Sequence, residues 1–167
     1  MPLLLRKLRK PRWTLDKDLP WLAEGDIPAD PLSDLATSEN KLSVFLVEDD
    51  RSNLDQVVTA VAATRGHLAV FDYALFDQQL LPQLNIKIES TDGGTLDQVV
   101  NSWHRDLVEL SALKLVELAK AILANAEKNR VLEKKIGQLM AQAVSLGRID
   151  GDQLTPETRS KIAKHIQ

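Results

Sequence analysis

The stretch Leu42–Val58, LSVFLVEDDRSNLDQVV, recurs as LNIKIESTDGGTLDQVV over Leu84–Val100, at a constant offset of 42 and without a gap. Seven of the 17 positions are identical: the opening Leu, one Asp, and LDQVV. Each copy opens on an apolar or alternating run, passes through a polar turn and enters a helix start, so the repeated unit reads as strand–turn–helix. Asn53-Leu54-Asp55-Gln56 and Thr95-Leu96-Asp97-Gln98 both have the form of a capping box. Asp55 and Asp97 then fall in a first turn, where the helix dipole favours a carboxylate. A parallel strand pair with helices on one face is the natural assembly of two such units. An antiparallel pairing satisfies the same sequence.

Outward from the repeat, the first helix is expected from Leu54 to Thr64, stopped at Gly66. Residues 67–82 read as a third short strand or irregular turn, then a helical turn ending at Pro82. No proline or glycine interrupts Leu96 to Ala126, which predicts one long helix. Its early apolar stripe is Leu96, Val99, Val100, Trp103, Leu107 and Leu110. Beyond it Leu113, Leu115, Val116, Leu118, Ile122 and Leu123 are apolar nearly all round. A helix of that kind belongs in a core or an oligomer interface. Val131–Leu146 predicts a further helix, and Thr155-Pro156 opens a last one running to the C-terminus.

Residues 1–40 hold five of the seven prolines and read as an extended arm carrying Trp13 and Trp21 as anchors. Its first part is basic (Arg6, Lys7, Arg9, Lys10, Arg12). Its second part is mostly acidic, with Asp16, Asp18, Glu24, Asp26, Asp30 and Asp34. The expected organisation is an arm over 1–40, a repeated strand–turn–helix core over 41–127 and a helical hairpin over 128–167. The fold class is mixed α/β, of the α+β type: a small sheet from the two repeats, preceded by the arm and followed by a helical C-terminal half.

Composition bounds the chemistry. The chain has 167 residues, 44% hydrophobic and 27% charged, with a net charge of −3. Those values describe an ordinary folded domain without a global pull toward nucleic acid or membranes. The absence of cysteine excludes disulfides, thiolate catalysis and Cys-ligated metal centres, and it fits a cytoplasmic protein. Three leucines precede the basic residues of MPLLLRKLRK, the reverse of a signal peptide.

The acidic triplet Glu48-Asp49-Asp50 resembles the carboxylates after the first strand of response-regulator receiver domains. The resemblance stops there, because Asp72 and Asp77 come too early for a phosphoacceptor. As Asp50 aligns with Asp92, the two carboxylates with Glu48 and Asp49 form an alternative Mg²⁺ site of a metal-dependent hydrolase or nuclease. Acidic residues before a helix start need no metal, however. Asp92-Gly93-Gly94-Thr95 could cradle an anion at a helix start. His104-Arg105-Asp106 matches the kinase catalytic tripeptide, but neither the downstream Asn nor a glycine-rich loop accompanies it. Arg6, Lys7, Arg9, Lys10 and Arg12 could follow a nucleic-acid backbone or an anionic surface. With no convincing catalytic constellation and no cofactor motif, the sequence favours a non-catalytic protein–protein interaction or assembly component that self-associates. Its expected contacts are Trp13, Trp21, Leu113, Leu115, Val116, Leu118, Ile122 and Leu123.

Overall fold

The computed structural model describes residues 1–15 and 19–165. Asp16 and Asp18 of the acidic stretch, and the expected end of the last helix at Ile166 and Gln167, lie outside the described residues. The fold is mixed α/β with a six-stranded antiparallel sheet. Its strands are β1 (Leu3–Lys7), β2 (Leu42–Val47), β3 (Phe71–Asp77), β4 (Lys87–Ser90), β5 (His104–Val108) and β6 (Glu127–Val131), in the spatial order β4-β5-β2-β1-β3-β6. The helices are α1 (Leu54–Ala63), α2 (Leu80–Gln83), α3 (Gln98–Asn101), α4 (Ala112–Asn125), α5 (Glu133–Ser145) and α6 (Pro156–Ala163). Two 3₁₀ turns, Lys10–Trp13 and Asp30–Leu35, cover part of the sheet.

Two cores sandwich the sheet. On one face Leu5, Val47, Phe71, Tyr73 and Leu75 pack with α1, α5 and α6. On the other Leu4, Val44, Ala74, Phe76 and Leu107 pack with α4 and the 3₁₀ turns. Successive side chains of a strand point to opposite faces. A strand covered on both sides must therefore be apolar at nearly every position, as β3 is in FDYALFD, buried from Phe71 to Phe76.

The same rule explains the largest departure from the sequence expectation. Leu3–Lys7 is no free arm. It is a central strand, pairing with β2 through Leu4↔Leu46 and with β3 through Leu4↔Phe76. Leu4 and Leu5 are buried on opposite faces. Residues 1–40 thus belong to the fold, and the boundary expected at 40 is not a boundary between an arm and a core.

The long helix expected from Leu96 to Ala126 is also absent. Only Gln98–Asn101 and Ala112–Asn125 are helical, with β5 between them. In β5 the side chains alternate: His104 faces Phe45 and Leu107 pairs with Leu42, on opposite faces of the sheet. Glu109 then takes a left-handed φ of 54°, and Ser111 caps α4 by accepting from the Lys114 N–H at 3.2 Å. The C-terminal half is accordingly not purely helical, since it supplies β5 and β6. The helix expected from Val131 starts at Glu133, because Val131 ends β6. Residues 67–82 agree with the expectation, as β3 then α2. So does the last helix start, where Thr155 accepts from the Thr158 N–H at 3.2 Å.

Candidate functional site

The two repeat joints look alike in sequence and differ in space. After β2, Asn53 does not cap α1 with its side chain. Its Oδ1 accepts from the Glu48 N–H at 2.9 Å and its Nδ2 donates to the Leu46 carbonyl at 3.3 Å, bracing the turn. After β4, the cap is Asp97 and not Thr95. Asp97 Oδ1 accepts from the Val99 and Val100 N–H groups at 3.0 and 3.3 Å, while Oδ2 accepts from Gln56 Nε2 at 2.9 Å.

The acidic candidates are exposed and engaged locally. Asp50 Oδ1 accepts from the Ser52 N–H at 2.9 Å, and that bond holds its carboxyl below the usual range. Asp49 lies 3.0 Å from the Met1 amine. Arg51, beside them, pairs with Glu127. Asp50 and Asp92 come after strands that run parallel to one another, but β5 lies between those strands. Two strand spacings, about 10 Å, lie between those strands. Among the described residues no group of three His, Asp or Glu side chains is placed to hold a metal ion. Two amides of the turn Asp92–Thr95 are already taken. The Gly93 N–H donates to the Asn101 carbonyl at 3.1 Å, and the Thr95 N–H donates to Asn101 Oδ1 at 2.8 Å.

His104 and Asp106 lie on β5, not within a helix. Thr91 Oγ1 sits 3.1 Å from Asp106 Oδ2 and 2.8 Å from His104 Nδ1. A hydroxyl has one proton to give, so Thr91 donates to the carboxylate or to the imidazole and not to both. Ser43 Oγ donates to Asp106 Oδ1 at 3.1 Å. Ser43 bonds the carboxylate and not the imidazole, so it is not paired with His104 as a nucleophile with its base. These residues tie β2, β4 and β5 together, and the Phe45 ring covers His104 edge-on at 5.1 Å.

The expected interface residues divide. Trp13 is buried, and its Nε1 donates to Asp34 at 2.9 Å. Leu118 and Ile122 are core residues, and Leu115 and Leu123 pack partly against that core. They are thus the inner face of α4. Val116 is half-buried, whereas Leu113 and Trp21 are 71% and 70% exposed.

The basic run lines a groove. Past the end of β1, a groove of about 670 Å³ is lined by Lys7, Arg9, Arg65 and His67, with Asp34 and Asp72 in its wall. Both carboxylates are already satisfied. Asp34 accepts from the Arg9 N–H, Trp13 Nε1 and Arg12 Nη1 at 2.8, 2.9 and 3.1 Å. Asp72 accepts from Arg130 Nε and Nη2 at 2.7 and 2.8 Å, and from the Lys10 N–H at 2.9 Å. Arg6 is committed to the Asp34 and Ser43 carbonyls. Lys7 and Arg9 have no side-chain partner among the described residues. Burial holds the Lys7 ammonium below its ordinary pKa, and the positive charges of Arg65, Arg6 and Arg9 lower it further. Burial likewise lowers Arg65, against the pull of Asp72; its guanidinium lies 5.0 Å over the Phe71 ring. Of the five basic candidates, Arg6, Lys7 and Arg9 reach the groove, while Lys10 contributes its N–H and Arg12 pairs with Asp34. Arg65 and His67 carry no signal in the linear sequence and join only because α1 ends beside β1.

No protein-family model, curated protein or solved structure matches the chain.

Proposed function

We propose that this chain is a non-catalytic interaction protein that assembles through the outer side of its α4 layer, with a second copy of itself as the partner. The observation that carries the reading is a mismatch between the apolar content of α4 and the cover available to it. Of the sequence ALKLVELAKAILAN, only Leu118, Ala119 and Ile122 are buried. Leu113 stays in water, and Leu115, Val116 and Leu123 are only half covered. On the opposite face, α1 buries six of its ten residues. Trp13, Ile27, Leu32 and Leu35 pack in the same layer as α4, while Leu15 and Trp21 are exposed. Leu113 and Val116, three residues apart, share one helix face, exposed apolar side chains on one face can serve as an interface, and a self-complementary patch closes most simply as a two-fold dimer.

Sedimentation equilibrium tests the reading. A mass above 18.6 kDa that rises with concentration is expected. Leu113→Glu with Val116→Lys should return the protein to a folded monomer, since neither side chain is in the core. A wild-type monomer at all concentrations would overturn self-assembly.

A further inference from the structure

We infer that the groove past the end of β1 is a binding site for a small phosphate-bearing ligand, held by Lys7, Arg9 and Arg65 with His67 as an additional donor.

The chain as a whole is acidic, at −3, yet cations converge at this place. Carboxylates in the wall would normally cancel them. Here both carboxylates are saturated by other donors: Asp34 by Arg12, Trp13 and a main-chain N–H, and Asp72 by Arg130 and the Lys10 N–H. The salt bridges of Arg12 and Arg130 absorb much of that negative charge, and among the described residues Lys7 and Arg9 have no ion-pair partner of their own.

The arrangement is also costly to the free protein. Lys7 sits beside three arginines, and its ammonium loses hydration to the groove walls. Asp34 offsets only part of that repulsion, and a cluster of like charges raises the energy of the folded state. A dianion in the groove would attract each of these cations and offset their mutual repulsion. Stability given up at one place is a usual mark of a binding site.

The dimensions select among anions. The cavity of about 670 Å³ falls within the range of small-molecule sites, roughly 300–1,000 Å³. Leu8 and Val70 add apolar surface beside the cations, which suits an organic phosphate more than a bare ion. An arginine's planar fork recognises phosphate in two directions and a lysine supplies a point charge. Lys7 is fixed at the end of a central strand, and Arg65 lies just past the end of α1, held by a bond from Nη1 to the Val70 carbonyl at 2.7 Å. Arg65 is therefore pre-positioned, and the main chain that carries Lys7 is fixed. A polynucleotide would need an extended basic stripe, but Lys10 and Arg12 contribute no further free charge to this groove.

Titration calorimetry of the full chain with pyrophosphate and with adenosine diphosphate, at constant ionic strength, tests the assignment. Saturable binding of either is expected, at least tenfold weaker in Lys7→Met and in Arg9→Gln, and unchanged in the surface control Lys41→Gln. Lys7→Arg should retain binding. Lys7→Met should melt no lower than wild type, because it removes a repelled charge, and this separates lost binding from lost folding. Failure of both ligands to bind at millimolar concentration would overturn the proposal. So would binding that ignores Lys7→Met and Arg9→Gln, or binding of single-stranded RNA without any binding of the small ligands.

Discussion

Arg130 holds Asp72 with two parallel bonds across the β3–β6 pair, Nε to Oδ1 at 2.7 Å and Nη2 to Oδ2 at 2.8 Å. The Arg130 hydrogen bonds are the main reason that the Asp72 carboxyl lies below its ordinary pKa; burial opposes them, and the Lys10 N–H adds to them. Asp72 also anchors the 3₁₀ turn through Lys10, so one carboxylate joins the edge strand β6 to the segment after β1.

That fork makes stability depend on pH. Asp72 has a depressed folded-state pKa, so its contribution is complete above the unfolded-state pKa of about 3.9 and is lost as pH falls through the lower folded-state value. In Arg130→Met the carboxylate keeps its burial and loses its partner, so its folded-state pKa rises. The variant should melt lower than wild type near pH 7, by a few degrees for a chain of this size. The gap should close as the solution is acidified below about pH 4. Thermal melts from neutral to acid pH measure it, and an equal gap at every pH would refute the assignment.

A second prediction concerns β1. Leu4 and Leu5 are 0% and 1% exposed and fill opposite cores. Leu4→Ala and Leu5→Ala should each cost about 3 kcal/mol, as emptying a buried leucine site usually does. Leu15→Ala, at a side chain that is 50% exposed, should change stability by less than about 0.5 kcal/mol. Deleting residues 1–8 should prevent folding altogether. Urea unfolding reads all four. A truncated chain that still unfolds cooperatively would show that β1 is the arm its composition suggests.

That strand shows why part of the fold was hidden in the sequence. LLLRKLRK places leucines on both faces and charges where the strand leaves the sheet, so charge obscured alternation. Arg6 is half-buried because the Asp34 and Ser43 carbonyls, distant in the chain, accept its protons. The repeat was legible as two strand–turn–helix joints, but the lengths were not. The same LDQVV opens a ten-residue helix at Leu54 and only a four-residue one at Gln98. The residues after LDQVV decide the length: TAVAA continues a helix, while NSWHRDLV carries the alternation of β5. No glycine or proline marked the break, because Glu109 makes the positive-φ turn there. The groove was half legible. Its β1 cations were visible as a run, whereas Arg65, His67 and the neutralising Arg130 come from elsewhere in the chain.

The two adjacent glycines of the second joint give the sharpest contrast. A Cβ on Gly93 would lie 2.9 Å from Asn101 Oδ1, 3.0 Å from Asn101 Cα and 3.0 Å from His104 Cβ. Main chain cannot move aside as a flexible side chain can. Asn101 is also pinned, since its Oδ1 receives the Thr95 N–H and hydroxyl and its Nδ2 donates to the Thr95 carbonyl. Gly93→Ala should therefore cost about 1–3 kcal/mol, the range for overpacking a closed site. A Cβ on Gly94 would meet nothing within 4 Å, so Gly94→Ala should stay within about 0.5 kcal/mol of wild type. Denaturant midpoints of the two variants decide the matter. Equal losses would mean that the joint needs glycine for chain flexibility, and a loss confined to Gly93 would trace the requirement to the Asn101 backbone pressed against it.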